Sequence, residues 1–281
     1  MKRPSPELSA MMDAARRAGT GLMRRYRRRS ELVVEQKGPA DFVSEADREA
    51  ERTIVALLTK AFPGHGFVTE ESAPRRLDAA SRFVVDPLDG TSNFLHGIPH
   101  FAVSIALQVE GSLRAGVVFD PAKDEMFVAE RGAGAWLGTE RLQVSPDRTF
   151  SRALVSTGIP HASGRARHAR YLPMLEQVMW HAAAIRRMGA AALDMAYVAA
   201  GRSAVFFELG LKAWDMAAGA LLVTEAGGRV SAVDGGDGFL DSGEVLATNG
   251  RLHPRMLAML REGPAPRSAS AGRSARTRRR R

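Results

Sequence analysis

Not one cysteine occurs among the 281 residues. That absence removes disulfide frameworks, thiol nucleophiles and cysteine-ligated zinc or iron–sulfur centres. Aromatic residues amount to 6%, which argues against recognition of single-stranded nucleic acid by base stacking. No run of about 18 apolar residues exists, so neither a membrane span nor a membrane partner is expected. The opening stretch, MKRPSPELSAMMDAARRAG, lacks the apolar centre and small-residue cleavage site of a secretory leader. Glu7 and Asp13 argue against a transit peptide, and a cytoplasmic location is expected. Acid is missing from residues 264–281, where seven arginines sit among Pro, Ala, Ser, Gly and Thr. Taking those seven charges from the formal +9 leaves +2 for everything before them. A segment without large apolar residues cannot bury a core, so residues 264–281 are expected to form a disordered tail.

What is present suffices for a large core, because 45% of the chain is hydrophobic. One domain is expected over residues 1–263, with an N-terminal α+β part to about 145 and a C-terminal α/β part from about 146. Ser5 as N-cap and Pro6 at the first helical position open a helix running to about Arg29. A turn is expected at Lys37-Gly38-Pro39. Ser44 opens a second helix, which carries Ile54, Leu57 and Leu58 and stops at Pro63-Gly64. Short strands at 67–69 and 83–85 run out onto Glu70 and Asp86. Apolar runs at 102–109, 113–119, 125–129 and 135–137, separated by turn residues, predict an antiparallel meander. The second half alternates: strand 153–157, helix 170–182, helix 190–200, strand 204–208, helix 214–226, then short strands near Val230 and at 245–248. This order predicts layered sheets and helices rather than one doubly wound sheet. Met174, Met179, Met188 and Met195 read as core packing, and His96 and His100 as structural or loop residues.

The stretch VVDPLDGTSNF, residues 84–94, ends an apolar strand on Asp86 and places a second acid, Asp89, three residues later. Two like charges so close repel unless a cation sits between them. Glu70 follows the same pattern of an acid at a strand end, where a rigid scaffold presents side chains to a loop-built site. Asp47 and Asp215 complete the set. Hard divalent cations such as Mg2+ take oxygen ligands from carboxylates, carbonyls, water and substrate phosphate. Pro87 restrains its own φ and Gly90 permits a tight approach, so Asp86, the Leu88 carbonyl and Asp89 can converge on one or two ions. The backbone N–H groups of Gly90, Thr91 and Ser92 can cradle a phosphate. The Thr91 hydroxyl can hold a water, Asp47 can take its proton, and the water can attack phosphorus in line. Each piece also has a plainer explanation. Asp47 lies three residues after Ser44, the spacing of a capping box. Glu70 and Glu71 suit a solvated turn, Asp86-Pro87 is a common turn start, and Asp215 near a helix start complements the helix dipole. The conjunction points to metal-assisted phosphate chemistry more strongly than any one piece.

VVDPLDGTSNF and AWDMAAGALLVTEAGG (213–228) resemble the two signature motifs of the inositol monophosphatase family, Mg2+-dependent, lithium-sensitive phosphatases. KGPADFVSEAD (37–47), FVTEES (67–72) and RRMGAAALDMAYVAAGRSAVFFELGLKAWD (186–215) are similar to the family in the same order. The resemblance spans about residues 5–260. It implies an α+β fold, the layered αβαβα sandwich of the inositol monophosphatase and fructose-1,6-bisphosphatase type, assembled as a homodimer. It implies two or three Mg2+ ions: one held by Glu70, Asp86 and the Leu88 carbonyl, a second by Asp86, Asp89 and Asp215, and a weaker third by Glu70 with waters. By the same resemblance Thr91 and Asp47 would activate the attacking water, with Glu70 in the catalytic set. Backbone at Gly90, Thr91 and Ser92 would meet the phosphate. Glu208 would bind a substrate hydroxyl, Gly189, Ala190 and Ala191 would line the same pocket, Asp89 would also touch substrate, and Arg186 would reach substrate or the partner subunit. The implied reaction is hydrolysis of a small polyol phosphate, first myo-inositol 1-phosphate, with fructose-1,6-bisphosphate, histidinol phosphate and glycerol phosphates as alternatives. Bacterial relatives of the family also act as RNA- or transcription-machinery-binding proteins. The arginine tail and the cluster RRYRRR at 24–29 depart from the family pattern and would suit weak, salt-dependent contact with RNA or an acidic surface.

Overall fold

The computed structural model describes residues 4–32, 34–38, 41–160 and 164–262. The arginine-rich tail, and Pro39 of the expected turn, lie outside the described residues. Helix α1 (Pro6–Arg27) starts as its sequence dictates. The Ser5 hydroxyl oxygen accepts the Leu8 N–H at 3.1 Å, and Pro6 occupies a position where its missing N–H leaves no bond unmade. It stops before Arg29, which opens a 3-10 turn, Arg29–Glu31. A hairpin of β1 (Val34–Gly38) and β2 (Asp41–Ser44) follows, where only a turn was expected. Ser44 then caps α2 (Glu45–Ala61).

Next come β3 (Gly66–Thr69) and β4 (Ser81–Asp89), which pair in parallel, and the short helix α3 (Thr91–His96). The expected meander is present as β5 (Ala102–Val109), β6 (Ser112–Asp120), β7 (Glu125–Glu130), β8 (Gly134–Leu137) and β9 (Glu140–Arg141). Together these form a seven-stranded sheet in the order β3-β4-β5-β6-β7-β8-β9. The second half contributes β10 (Leu154–Thr157), α4 (Arg165–His181), β11 (Ala184–Arg186), α5 (Ala191–Ala199) and β12 (Val205–Leu209). It continues with α6 (Ala213–Glu225), β13 (Arg229–Ser231), α7 (Phe239–Ser242), β14 (Glu244–Thr248) and α8 (His253–Glu262). Its five strands are ordered β11-β10-β12-β14-β13, parallel around β10 and antiparallel around β14. Strand β11 and helices α7 and α8 add to the elements expected from sequence.

Alternation along the strands sorts side chains into three cores. On one face of the large sheet, Phe83, Val85, Ile105 and Val117 pack against α1 and α2 through Leu8, Met11, Ile54 and Leu58. On the other, Val84, Ala102, Ala106 and Val118 meet α5 and α6, which also cover Phe206, Val245 and Ala247 of the small sheet. The outer face of the small sheet, with Val155, Val205 and Leu246, is closed by Tyr171, Met174 and Val178 of α4 and Met256 and Leu260 of α8. The layers are therefore α1/α2, large sheet, α5/α6, small sheet, α4/α8: the αβαβα sandwich that the resemblance implies.

The middle layer fits between two sheets because its residues are small. A Cβ on Gly219 of α6 would stand 2.6 Å from the Met195 Cβ of α5, and one on Gly116 of β6 would stand 3.0 Å from the Ala218 carbonyl oxygen. Of the four methionines assigned to the core, Met195 and Met174 are buried and Met188 is half-buried. Met179 is instead 64% exposed on α4. No helix among the described residues is long and apolar enough to cross a membrane.

Candidate active site

Strand β4 does not end before Asp86 but continues to Asp89 through an irregularity. Asp86 lies opposite Ser104 and Asp89 opposite Ala102, so three steps on β4 are matched by two on β5. In a regular strand residues three apart face opposite sides. The extra residue restores Asp89 to the side of Asp86, which is the side of Val84 and of helices α5 and α6. Pro87, with no N–H to give to a ladder, occupies this break.

Four of the acids are tied to backbone donors. Asp86 Oδ1 accepts the Leu88 N–H at 2.9 Å. Asp89 spans the start of α5, accepting Ala191 N–H at 3.2 Å and Ala192 N–H at 2.8 Å through its two oxygens. Asp215, in the first turn of α6, accepts the Lys212 N–H at 2.7 Å. Asp47 Oδ2 accepts both the Ser44 N–H at 2.9 Å and the Ser44 hydroxyl at 2.6 Å. Its other oxygen, Oδ1, stands 3.1 Å from Thr91 Oγ1, and that hydroxyl also lies 3.0 Å from the Leu88 carbonyl oxygen. The capping role and the contact with Thr91 thus use different oxygens of one carboxylate and coexist.

These groups surround a cleft of about 170 Å3 lined by Glu70, Asp89, Gly90, Thr91, Ser92, Gly189, Ala190, Ala191, Glu208 and Asp215. Asp47, Asp86 and Leu88 lie behind its wall, 1%, 2% and 1% exposed. Gly90, at φ +89°, is the left-handed residue that turns β4 into α3, a conformation strained for any residue with a Cβ. A Cβ on Gly158, at the end of β10, would stand 1.9 Å from the Glu208 carboxyl carbon, so only glycine lets that carboxyl lie there.

Burial raises Asp86, Asp89, Asp215 and Glu208, joined at Asp86, Asp89 and Glu208 by neighbouring acids. Asp86 is pushed well above the usual carboxylate range, first by burial, then by Glu70, Asp89 and Asp215. Burial, then Asp215, pushes Asp89 up to about 7, against the opposing N–H groups of Ala192 and Ala191. Burial pushes Asp215 up to about 6. Glu208 is raised well above its ordinary value by burial, then by Asp194, Asp215 and Asp89, while Arg187 opposes the shift.

A family model for the inositol monophosphatase family matches residues 4–265. The chain belongs to the inositol monophosphatase family, a family of phosphatases. It is 48% identical over 256 residues to a protein of Mesorhizobium japonicum named inositol-1-monophosphatase, covering 91% of this chain and 96% of that one. It is 46% identical over 259 residues to a Pseudomonas aeruginosa protein named Nus factor SuhB, again covering 91% and 96%. Among solved structures, the extragenic suppressor protein suhB of Bartonella henselae superposes with a TM-score of 0.89 at 47% identity, over 92% of this chain and all of that one.

In this inositol monophosphatase family member, most of the residues named from sequence lie at or just behind the cleft, and Arg186 does not line it. Arg186 is exposed and its Nη1 donates to the Ile185 carbonyl at 2.9 Å, away from the acids. The arginine that lines the cleft is its neighbour Arg187, whose charge acts on Glu208 and Asp194. Asp194 was also missed. It is 1% exposed on α5, its Oδ1 has no hydrogen-bond partner, and burial followed by Asp89 raises it well above the usual range. The available signal was a single acid inside the otherwise apolar helix AALDMAYVA.

The donor set suits a hard divalent cation: carboxylates and a carbonyl, all oxygen, with more negative charge than the site's own N–H groups offset. Among the described residues no group of three or more His, Asp or Glu already stands in a metal-holding arrangement. Instead Asp86 makes hydrogen-bond contact with both Glu70 and Asp215, as crowded carboxyls do when they share protons.

That crowding has a thermal signature. The folded value of Asp89, about 7, lies above the ordinary Asp value of 3.8 that the unfolded chain keeps. Below the lower value both folded and unfolded chains hold the proton. As pH rises towards 7 the unfolded chain releases it first, so the contribution of Asp89 to stability falls across this window. In metal-free protein, the Tm of Asp89→Asn minus that of wild type should therefore climb from pH 4 to pH 7 by several degrees, at roughly 2–4 °C per kcal/mol. Taking the difference cancels His100 and His253, both pushed down to about 4 by burial, whose contributions fall as pH drops. Scanning calorimetry against pH checks it; a flat difference would show that Asp89 does not ionise against the cluster.

Proposed function

We propose that the protein is a Mg2+-dependent phosphomonoesterase acting on a small polyol phosphate, most directly myo-inositol 1-phosphate, and releasing myo-inositol and phosphate. The contact that carries this is Asp47 Oδ1 to Thr91 Oγ1 beside the acid-lined cleft. Because the Thr91 hydroxyl gives its proton to Asp47, its lone pairs face outward to accept a hydrogen bond from water. Ser44 holds the other oxygen of Asp47, fixing the carboxylate for that task. The water oxygen forms the new bond to phosphorus as the ester oxygen leaves, the water proton passes through Thr91 to Asp47, and the departing alkoxide takes a proton from solvent. Backbone N–H groups at Gly90, Thr91 and Ser92 orient the phosphate, since the first turn of α3 leaves its donors without partners in the helix. Glu208 accepts a hydroxyl of the polyol. Glu70, Asp86, the Leu88 carbonyl, Asp89 and Asp215 would hold two or three Mg2+ ions. Bound there, such ions cancel the repulsion among the carboxylates, withdraw charge from the phosphoryl oxygens and stabilise the leaving oxygen.

Three features support a polyol monophosphate over larger esters: the small cleft, the Glu208 acceptor and a single lining arginine. Relatives of high identity named inositol-1-monophosphatase support the same choice. Because α5 and α6 pack on both sheets, residues 1–263 are read as one phosphatase domain.

Phosphate release should be measured on inositol 1-phosphate, fructose-1,6-bisphosphate, histidinol phosphate, adenosine 3′,5′-bisphosphate and glycerol 2-phosphate, with and without Mg2+ and at graded Li+. Inositol 1-phosphate should be preferred, with Mg2+-dependent, Li+-inhibited turnover. In the same assay Asp47→Asn should lower kcat by about 100-fold or more with little change in the Mg2+ requirement. A variant that only melts earlier would leave Asp47 with its capping role alone.

The same proposal includes a homodimer. One face of α4 buries Tyr171, Met174 and Val178, while the opposite face leaves Leu172, Met179 and Trp180 exposed at 60%, 64% and 77%. Such an apolar stripe suits a second copy. Trp180→Glu should convert a dimer to a monomer in sedimentation velocity; an unchanged dimer would place the interface elsewhere.

The relatives named Nus factor SuhB favour a second role on RNA or the transcription machinery. The basic cluster at 24–29 offers less than its charge suggests. Arg25 pairs with Glu49 and Arg28 with Glu31. Tyr26 donates its hydroxyl to the Gly97 carbonyl and packs its ring on Phe94 and Phe101. The tail carries seven further arginines, and deleting residues 264–281 should weaken RNA affinity while sparing phosphate release. Unchanged affinity would remove this role from the tail.

A further inference from the structure

We propose that Glu51 is a positioning residue for Glu70, holding the turn that carries it into the cleft. Glu51 lies one helical turn after Asp47 on α2 and is 3% exposed, yet it does not line the cleft. Its carboxylate accepts the Glu71 N–H at 2.8 Å through Oε2 and the Ser72 hydroxyl through Oε1. From the other side, the Glu70 N–H donates to the Val85 carbonyl of β4 at 3.2 Å. The Glu70 turn is therefore clamped between the sheet and α2. The same helix, through Asp47, holds the Thr91 hydroxyl. One rigid element thus sets both the proton acceptor and the acid at the far side of the cleft.

The clamp suits a carboxylate. Both partners are donors, and an ionised carboxylate offers acceptors only. Glutamine has the same shape but carries no charge: its oxygen can keep the Glu71 bond and its NH2 can meet the Ser72 hydroxyl only by reversing that bond, so both charge-assisted bonds are lost. Asp47 and Glu51 recur four residues apart on one helix face, so the clamp follows from the same register as the capping box.

The inference rests on the metal-dependent reading of the cleft, and the test separates the two. Glu51→Gln should weaken Mn2+ binding, measured by calorimetry on metal-free protein, by about 10-fold or more, as loss of an outer partner of a ligand does. The Mg2+ concentration for half-maximal phosphate release should rise in parallel, with kcat at saturating Mg2+ within about 2-fold. In metal-free protein, amide exchange at Glu71 and Ser72 should accelerate. Ile54→Val, a core change on the same helix, is the control: it should lower Tm while leaving Mn2+ affinity unchanged. Wild-type Mn2+ affinity in Glu51→Gln, or an equal loss in Ile54→Val, overturns the proposal. If Glu51→Gln does not fold, Ser72→Ala decides, because it removes one of the two bonds and leaves Glu51 in place: weakened Mn2+ binding supports the clamp, and unchanged binding overturns it. A wild-type protein that neither binds Mn2+ nor needs Mg2+ removes both readings; a metal-dependent wild type with an unaffected Glu51→Gln removes only this one.

Discussion

Like charges held together out of water repel, and the architecture around the cleft manages that repulsion. At an effective dielectric of 20, two carboxylates 4 Å apart oppose each other by roughly 4 kcal/mol. Asp86, Asp89 and Asp215 are each anchored by a backbone N–H, and for Asp89 and Asp215 that donor belongs to the start of a helix. Helix starts carry unpaired donors and partial positive charge, so they are where a protein can hold acids in place. The compensation is incomplete. The acids still sit above their ordinary range, and the negative charge left uncompensated suits the cleft to a divalent cation.

The layers serve that arrangement. A thin middle layer of alanines and glycines lets α5 and α6 lie against both sheets at once. Their N-termini then arrive together at the edge where β4 ends in its bulge and β12 presents Glu208. Bulkier residues would hold the sheets apart and separate Asp215 from Asp86. The helix pair α1/α2 works from the other face of the large sheet, where Asp47 and Glu51 reach around its edge to Thr91 and to the Glu70 turn.

Capping a helix does not prevent a carboxylate from facing the cleft groups here. Asp47 closes a capping box with one oxygen and meets Thr91 with the other. Asp89 caps α5 with the same carboxylate that faces the cleft. A residue already fixed by the backbone has little conformational freedom left to lose when it acts, which is the physical merit of building a site from helix caps.

Much of this was legible in the chain itself. Periodicity located the meander, the capped helices and the acids at strand ends, and the motif resemblance implied the layered fold and most of the residues that line the cleft. Those features are local: each is written within a few residues, as Ser44 with Asp47 or Asp86 with Asp89. What only the tertiary structure decided depends on parity and on distant partners. The bulge at Pro87 turns Asp89 to the side of Asp86, because pairing with β5 sets the count. The path of the chain after β11 brings Arg187, and not Arg186, to the cleft lining. Glu51 and Asp194 looked like ordinary helix residues until folding set one against the Glu70 turn and buried the other beside Asp89, since a helix face acquires chemistry only from what is packed against it.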